Sequence, residues 1–177
     1  GLKGRRHDRE LIRAINVDGS RRVFEQARAA GVERVVHVSS AVVYGAFADN
    51  PPVMDEDRPL RPMAGFSYAE DKVAVERWLD DYEQQPGTPA VVRLRPHVIL
   101  GPQAQPFLRR LLAQPFYPRL PEPQPLVQCV WETDVADAIV AAVLGEARGA
   151  FNLAADPPTV ILRPSVCGSW WRYLARP

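Results

Sequence analysis

Cysteine, histidine, surplus charge and long apolar runs are all scarce in this chain, and each scarcity removes a class of function. Only Cys129 and Cys167 are present in 177 residues. They form no C-x-x-C pair and have no histidine cluster beside them, so neither a disulfide framework nor a zinc site is indicated. His7 and His37 lack a metal-compatible partner at helical or hairpin spacing, and no metal is expected. Lys plus Arg number 22 against 21 Asp plus Glu, a net of +1, which provides no overall attraction toward nucleic acid or an anionic membrane surface. No run approaches the roughly 18 apolar residues of a membrane span, and the N-terminus is charged rather than signal-like. A cytoplasmic setting, with no nucleic-acid or membrane partner, is the expectation.

The patterns that are present alternate between helix and buried strand. Over residues 8–30, Leu11, Ile15, Val23 and Ala27 recur with Ile12 and Phe24 flanking, the spacing of a helix that buries one stripe, and Gly31 ends it. Residues 32–40 form a β-branched run apolar on both faces apart from His37, as in a buried parallel strand. Residues 46–65, rich in Pro, Asp and Glu, read as a surface loop. A second helix is expected over 66–84, stopping before Pro86-Gly87, and a second buried strand over 90–94. Beyond Gly101-Pro102, five prolines from Pro115 to Pro125 exclude both a helix interior and a central strand and suggest an irregular cap. A short strand over 126–131, a helix capped by Thr133 and running to about Leu144, and a last strand over 151–153 complete the pattern.

Strands separated by helices favour a doubly wound parallel sheet, whose sites lie at strand C-termini. Ser39-Ser40 and Arg95-Pro96-His97 occupy two such ends. Tyr68 and Lys72, four apart on a helix, share one face at roughly 6 Å between Cβ atoms. A nearby ammonium favours phenolate and can lower a phenol's pKa of about 10 by roughly 1 to 3 units. Tyr68 could then exchange a proton with a substrate hydroxyl or carbonyl. Tyr and Lys at this spacing alone are more often a solvated helix face; the strand ending in Ser39-Ser40 and the following Ala41-Val42-Val43-Tyr44-Gly45 change the balance.

Together with Asn16-Val17-Asp18-Gly19-Ser20 and Arg95-Pro96-His97-Val98-Ile99-Leu100-Gly101-Pro102, these motifs resemble the extended short-chain dehydrogenases/reductases, the NAD-dependent epimerase/dehydratase group, over residues 8–155. By that resemblance Ser40 would hydrogen-bond the reacting substrate oxygen, with Ser39 in support on the cofactor side. Tyr68 would be the general acid/base, and Lys72 would lower its pKa and bind the nicotinamide ribose. Asn16 would help order a water near the lysine. Pro96 and Val98 belong to the segment whose backbone meets the nicotinamide carboxamide. His97 is either a substrate contact or a hydrogen-bonded structural residue. The implied cofactor is NAD or NADP, the implied partner a small-molecule substrate, and family members often dimerise through the helices represented here by 8–30 and 66–84.

The family's G-x-x-G-x-x-G turn, which brings backbone amides to the cofactor pyrophosphate, has no counterpart here. The chain starts at Gly1 without a preceding strand, so the expectation is a partial Rossmann-like sheet lacking its first strands, spanning 1–159. Residues 103–126 would be a Pro-rich substrate cap and 160–177 a divergent or disordered tail. Ala41-Val42 replaces the Asp-Glu pair of sugar-nucleotide dehydratases. Asp71, where sugar-nucleotide members usually carry Ser or Thr, tilts the expectation toward a reductase or dehydrogenase of a hydrophobic alcohol or ketone. The leading function is therefore an NAD(P)-dependent oxidoreductase-type enzyme; the alternatives are a nucleotide-sugar epimerase and a noncatalytic dinucleotide-fold fragment.

Overall fold

Helix formation begins where the apolar spacing predicts it. The computed structural model describes residues 6–103 and 127–155. It carries α1 (Arg6–Arg13) through a wide π-type turn (Ala14–Asp18) into α2 (Gly19–Ala29). In that turn the Gly19 amide donates to the Ala14 carbonyl, one residue farther back than in an α-helix, and the extra residue rotates the chain by roughly 100° about its axis. The single buried stripe expected here is therefore corrected: Val17 and Phe24 are buried, whereas Leu11, Ile12, Ile15 and Val23 are exposed. At the C-terminus Gly31 adopts φ +69°. Gly31 N–H donates to the Arg28 carbonyl at 3.1 Å and Val32 N–H to the Ala27 carbonyl at 2.9 Å, the paired bonds of a Schellman motif.

Strand β1 (Arg34–Val38) pairs in parallel with β2 (Ala90–Pro96), from Arg34 opposite Ala90 to Val38 opposite Leu94. The Ser39 amide extends the ladder by donating to the Leu94 carbonyl at 2.7 Å. Among the described residues the sheet has the order β1, β2, then β5 (Gly149–Leu153). Every residue of β2 is buried, as suits a central parallel strand. β1 is only half-buried, with Val38 exposed. β1 is thus an edge strand among the described residues, as suits a sheet expected to lack its first strands.

The 46–65 loop leads into α3 (Ser67–Tyr82), close to the expected 66–84. One face of α3 packs Val75, Leu79 and Tyr82 with Val17, Phe24 and Val91. Trp78 stacks on Tyr82 at 4.8 Å between ring centroids, and Phe24 meets both rings edge-on at 6.0 and 5.8 Å, a favoured aromatic geometry. Val73 belongs to a second cluster with Val43 and Tyr44.

The described residues through Arg95, with Ile139–Asn152, form one compact unit; those of Pro96–Ala138, with those from Leu153, form the other. In the second unit β3 (Val98–Leu100) pairs in parallel with β4 (Cys129–Trp131). β3 was not anticipated as a strand. Helix α4 (Glu132–Leu144) starts directly at the end of β4, so Thr133 lies inside its first turn rather than at the N-cap. Glu132 and Asp134 put negative charge in that first turn, where the helix dipole favours it. The expected cap, beyond Gln103, and the 160–177 tail lie outside the described residues. The α/β class with parallel strand pairing is as expected.

Candidate active site

The C-terminal end of β1 is organised by two serines with different duties. Ser40, in extended backbone (φ −164°, ψ 148°), caps a 3-10 turn at Ala41–Tyr44, its Oγ accepting from the Val42 amide at 3.3 Å. This is the ordinary capping use of serine; it occupies a lone pair and leaves the hydroxyl proton free to donate. Ser39 is buried, and its hydroxyl donates to Glu76 Oε1 at 2.5 Å. Gly45 closes the turn at φ 69°, ψ 166°. A Cβ there would lie 2.3 Å from the Arg61 carbonyl oxygen, so only glycine fits both the backbone and the space.

Tyr68 and Lys72 emerge from the first two turns of α3 toward that strand end. Tyr68 is 45 % exposed, and the Lys72 ammonium lies 5.8 Å from its ring centroid. Lys72 Nζ donates to the Val38 carbonyl at 2.7 Å, fixing the side chain and leaving two of its three protons for other acceptors. Burial lowers the Lys72 pKa, and the Glu76 carboxylate one turn along opposes that shift. A cavity of about 210 Å³ brings Tyr68 and Lys72 together with Asn16, Ser20, His37 and Asp71. Three expected site residues, Asn16, Tyr68 and Lys72, therefore share one cavity. A phenol, an ammonium and an amide on one wall suit a hydroxylated ligand such as a ribose.

His37, on β1, is the neutral member of this wall. Burial, reinforced by the positive charge of Lys72, lowers its pKa from 6.5 to about 4. Its Nε2 is buried without a partner among the described residues. The Phe24 ring meets the imidazole edge-on at 6.0 Å.

Sequence reading missed the charges beneath the strand ends. Glu76 is fully buried, and Arg95 is 4 % exposed. Arg95 Nε lies 3.1 Å from each Glu76 oxygen and Nη2 2.6 Å from Oε2, a bidentate pair. Arg95 Nη1 also donates to the Tyr44 hydroxyl at 2.7 Å, and that hydroxyl donates to Asn152 Oδ1 at 2.8 Å. Arg93 is held by Asp80 at 2.5 Å and by Glu83. The available signal was Glu76, one helical turn past Lys72. Ser39 is thus tied through Glu76 to the same network. Pro96, His97 and Val98 fall in the second unit. There the His97 amide donates to the Leu153 carbonyl at 2.9 Å, and burial lowers the pKa of its half-buried imidazole. Among the described residues there is no group of His, Cys, Asp and Glu able to hold a metal, and no helix long and apolar enough to cross a membrane.

Residues 3–154 match the model of the NAD dependent epimerase/dehydratase family. An uncharacterised protein of Mycobacterium tuberculosis (strain H37Rv) is 28% identical over 146 residues, which cover 82% of this chain and 39% of the relative. The solved structure of MoeE5 in complex with UDP-glucuronic acid and NAD is similar with a TM-score of 0.72 at 27% identity, over 88% of this chain and 54% of that one. The UDP-glucose 4-epimerase of Thermus thermophilus, in complex with NAD, gives a TM-score of 0.68 at 25% identity, over 83% and 50% of the two chains. The chain thus spans about half the length of these structures.

Proposed function

The chain belongs to the NAD dependent epimerase/dehydratase family, and on that premise we propose that it carries the proton-handling residues of an NAD(P)-dependent enzyme acting at a hydroxyl or carbonyl carbon of a nucleotide-linked sugar. The observation that carries this reading is the cavity shared by Tyr68, Lys72 and Asn16, next to the serine-bearing end of β1. The sugar class is supported by the relatives: one similar structure holds UDP-glucuronic acid with NAD, and another is a UDP-glucose 4-epimerase. The hydrophobic alcohol or ketone suggested by Asp71 loses its basis, because that carboxylate is engaged by Arg13 and Asn16 and carries no message about substrate polarity.

In the oxidative direction Tyr68 takes the proton of the substrate hydroxyl, with the Lys72 ammonium beside its ring. Ser40 donates its free hydroxyl proton to the same substrate oxygen. Asn16 orders the water that returns protons to solvent. Ser39, anchored on Glu76, holds the strand end on the cofactor side. The bound nicotinamide supplies the hydride acceptor or donor. A cytoplasmic setting is part of this reading. The exposed Leu11, Ile12, Ile15 and Val23 support a homodimer through the helices over 8–30 and 66–84.

Calorimetric titration with NAD and NADP, followed by reduced-nicotinamide absorbance with UDP-glucose and UDP-glucuronic acid, tests the reading. Tyr68→Phe should lower turnover by about 10²- to 10⁴-fold with cofactor binding retained. Unchanged turnover in that variant would refute the role of Tyr68. Absence of binding to either nicotinamide cofactor would favour a noncatalytic module instead.

A further inference from the structure

Asp71, the residue immediately before Lys72, is 4 % exposed. Its Oδ1 accepts from Arg13 Nη1 at 3.1 Å and its Oδ2 from Asn16 Nδ2 at 3.1 Å. One turn earlier on α1 and one residue earlier on α3, Arg9 pairs with Glu70 at 2.6 Å. Two arginines spaced by a helical turn thus clamp two consecutive acids. Asn16 and Asp71 both line the Tyr68/Lys72 cavity, Asn16 from the wide turn where the helix changes phase.

The chemistry of the pair fixes a direction. A carboxylate paired with guanidinium accepts hydrogen bonds and has no proton to give, so Asn16 must turn its NH2 toward it. The amide oxygen is then carried on the opposite branch. A serine or threonine hydroxyl at position 71 could donate or accept and would leave the amide free to flip. We propose that Asp71 is a positioning residue: it holds the Asn16 carboxamide in one polarity, with Oδ1 kept as an acceptor for a water or hydroxyl at the Tyr68/Lys72 cavity. This rests on the reading of Tyr68 and Lys72 as the proton-handling pair. Arg13, in turn, holds Asp71.

Asp71→Asn separates this role from simple packing, because it preserves shape and reverses polarity. Arg13, a pure donor, would claim the new amide oxygen and leave its NH2 facing Asn16, which would have to present Oδ1 in return. In the ¹⁵N-labelled chain without cofactor, the Asn16 side-chain NH2, assigned by its disappearance in Asn16→Asp, should be protected from hydrogen exchange. Protection should fall at least about tenfold in Asp71→Asn, as expected for losing a hydrogen bond to a charged group. Asp71→Ser, which can still accept, should retain part of it. Circular dichroism checks that both variants fold. Equal protection in wild type and Asp71→Asn would overturn the proposal. With nicotinamide cofactor and UDP-sugar, Asp71→Asn should also displace the pH profile of turnover. If exchange changes as expected while the wild type shows no turnover, the positioning role stands and the catalytic reading fails.

Discussion

Acidification probes the candidate site through one side chain, His37. Its imidazole lies against Phe24 with Nε2 buried and unpartnered among the described residues. Lys72 and Arg93 further oppose its protonation, and Glu76 alone among the charges acting on it favours the proton. The pKa falls from 6.5 to about 4 on folding, so the unfolded chain binds the proton first as pH drops. Stability from the neutral imidazole is therefore present above pH 6.5 and is lost progressively between 6.5 and 4. By linkage, a drop from pH 7 to 5 removes about 2 kcal/mol, and full passage through the window removes about 3 kcal/mol. The assay is urea denaturation of wild type and His37→Gln at both pH values, followed by circular dichroism and by the fluorescence of Trp78, which packs in the Phe24 cluster. Glutamine cannot take the proton, so the variant should lose about 2 kcal/mol less than wild type between pH 7 and 5. His97, also lowered by burial, contributes equally to both proteins and cancels. Identical pH dependence in the two would refute the assignment to His37.

Two further perturbations test the scaffold. Glu76→Ala should cost about 3–5 kcal/mol, because it leaves the Arg95 guanidinium buried without its countercharge; a urea-measured loss under about 1 kcal/mol would show that Arg95 has another adequate partner. Gly45→Ala should cost about 1–3 kcal/mol from backbone strain alone, with the clash against the Arg61 carbonyl added, and a thermal melt unchanged from wild type would contradict the turn geometry.

Much of the fold was legible because local signals agree with it. Gly31 is a sufficient stop for α2, and the β-branched runs at 34–38 and 90–94 have little use except as strands. The expected strand stopped at Leu94, with Arg95-Pro96-His97 at its end, whereas Arg95 is a buried strand residue. Its burial depends on Glu76, nineteen positions earlier in the chain, and a partner on another element leaves no periodic trace. The α1–α2 stripe was misjudged for a related reason: a constant 3.6-residue period cannot register a turn that inserts a residue. Asn16, Tyr68 and Lys72 were legible as motifs. Asp71 was legible only as a departure from a pattern, and its partners Arg13 and Asn16 lie 58 and 55 residues away.

The wide turn at Ala14–Asp18 gives the helix a setting that depends on length as well as on side-chain identity. Deleting one residue from that turn would leave every motif elsewhere intact while swinging Arg9 and Arg13 by roughly 100° relative to Phe24. The core anchor and the arginine clamp could then no longer be satisfied at once. In this stretch residues can be exchanged one for another far more readily than they can be added or removed, so the spacing between Arg13 and Phe24 is itself a heritable part of the site.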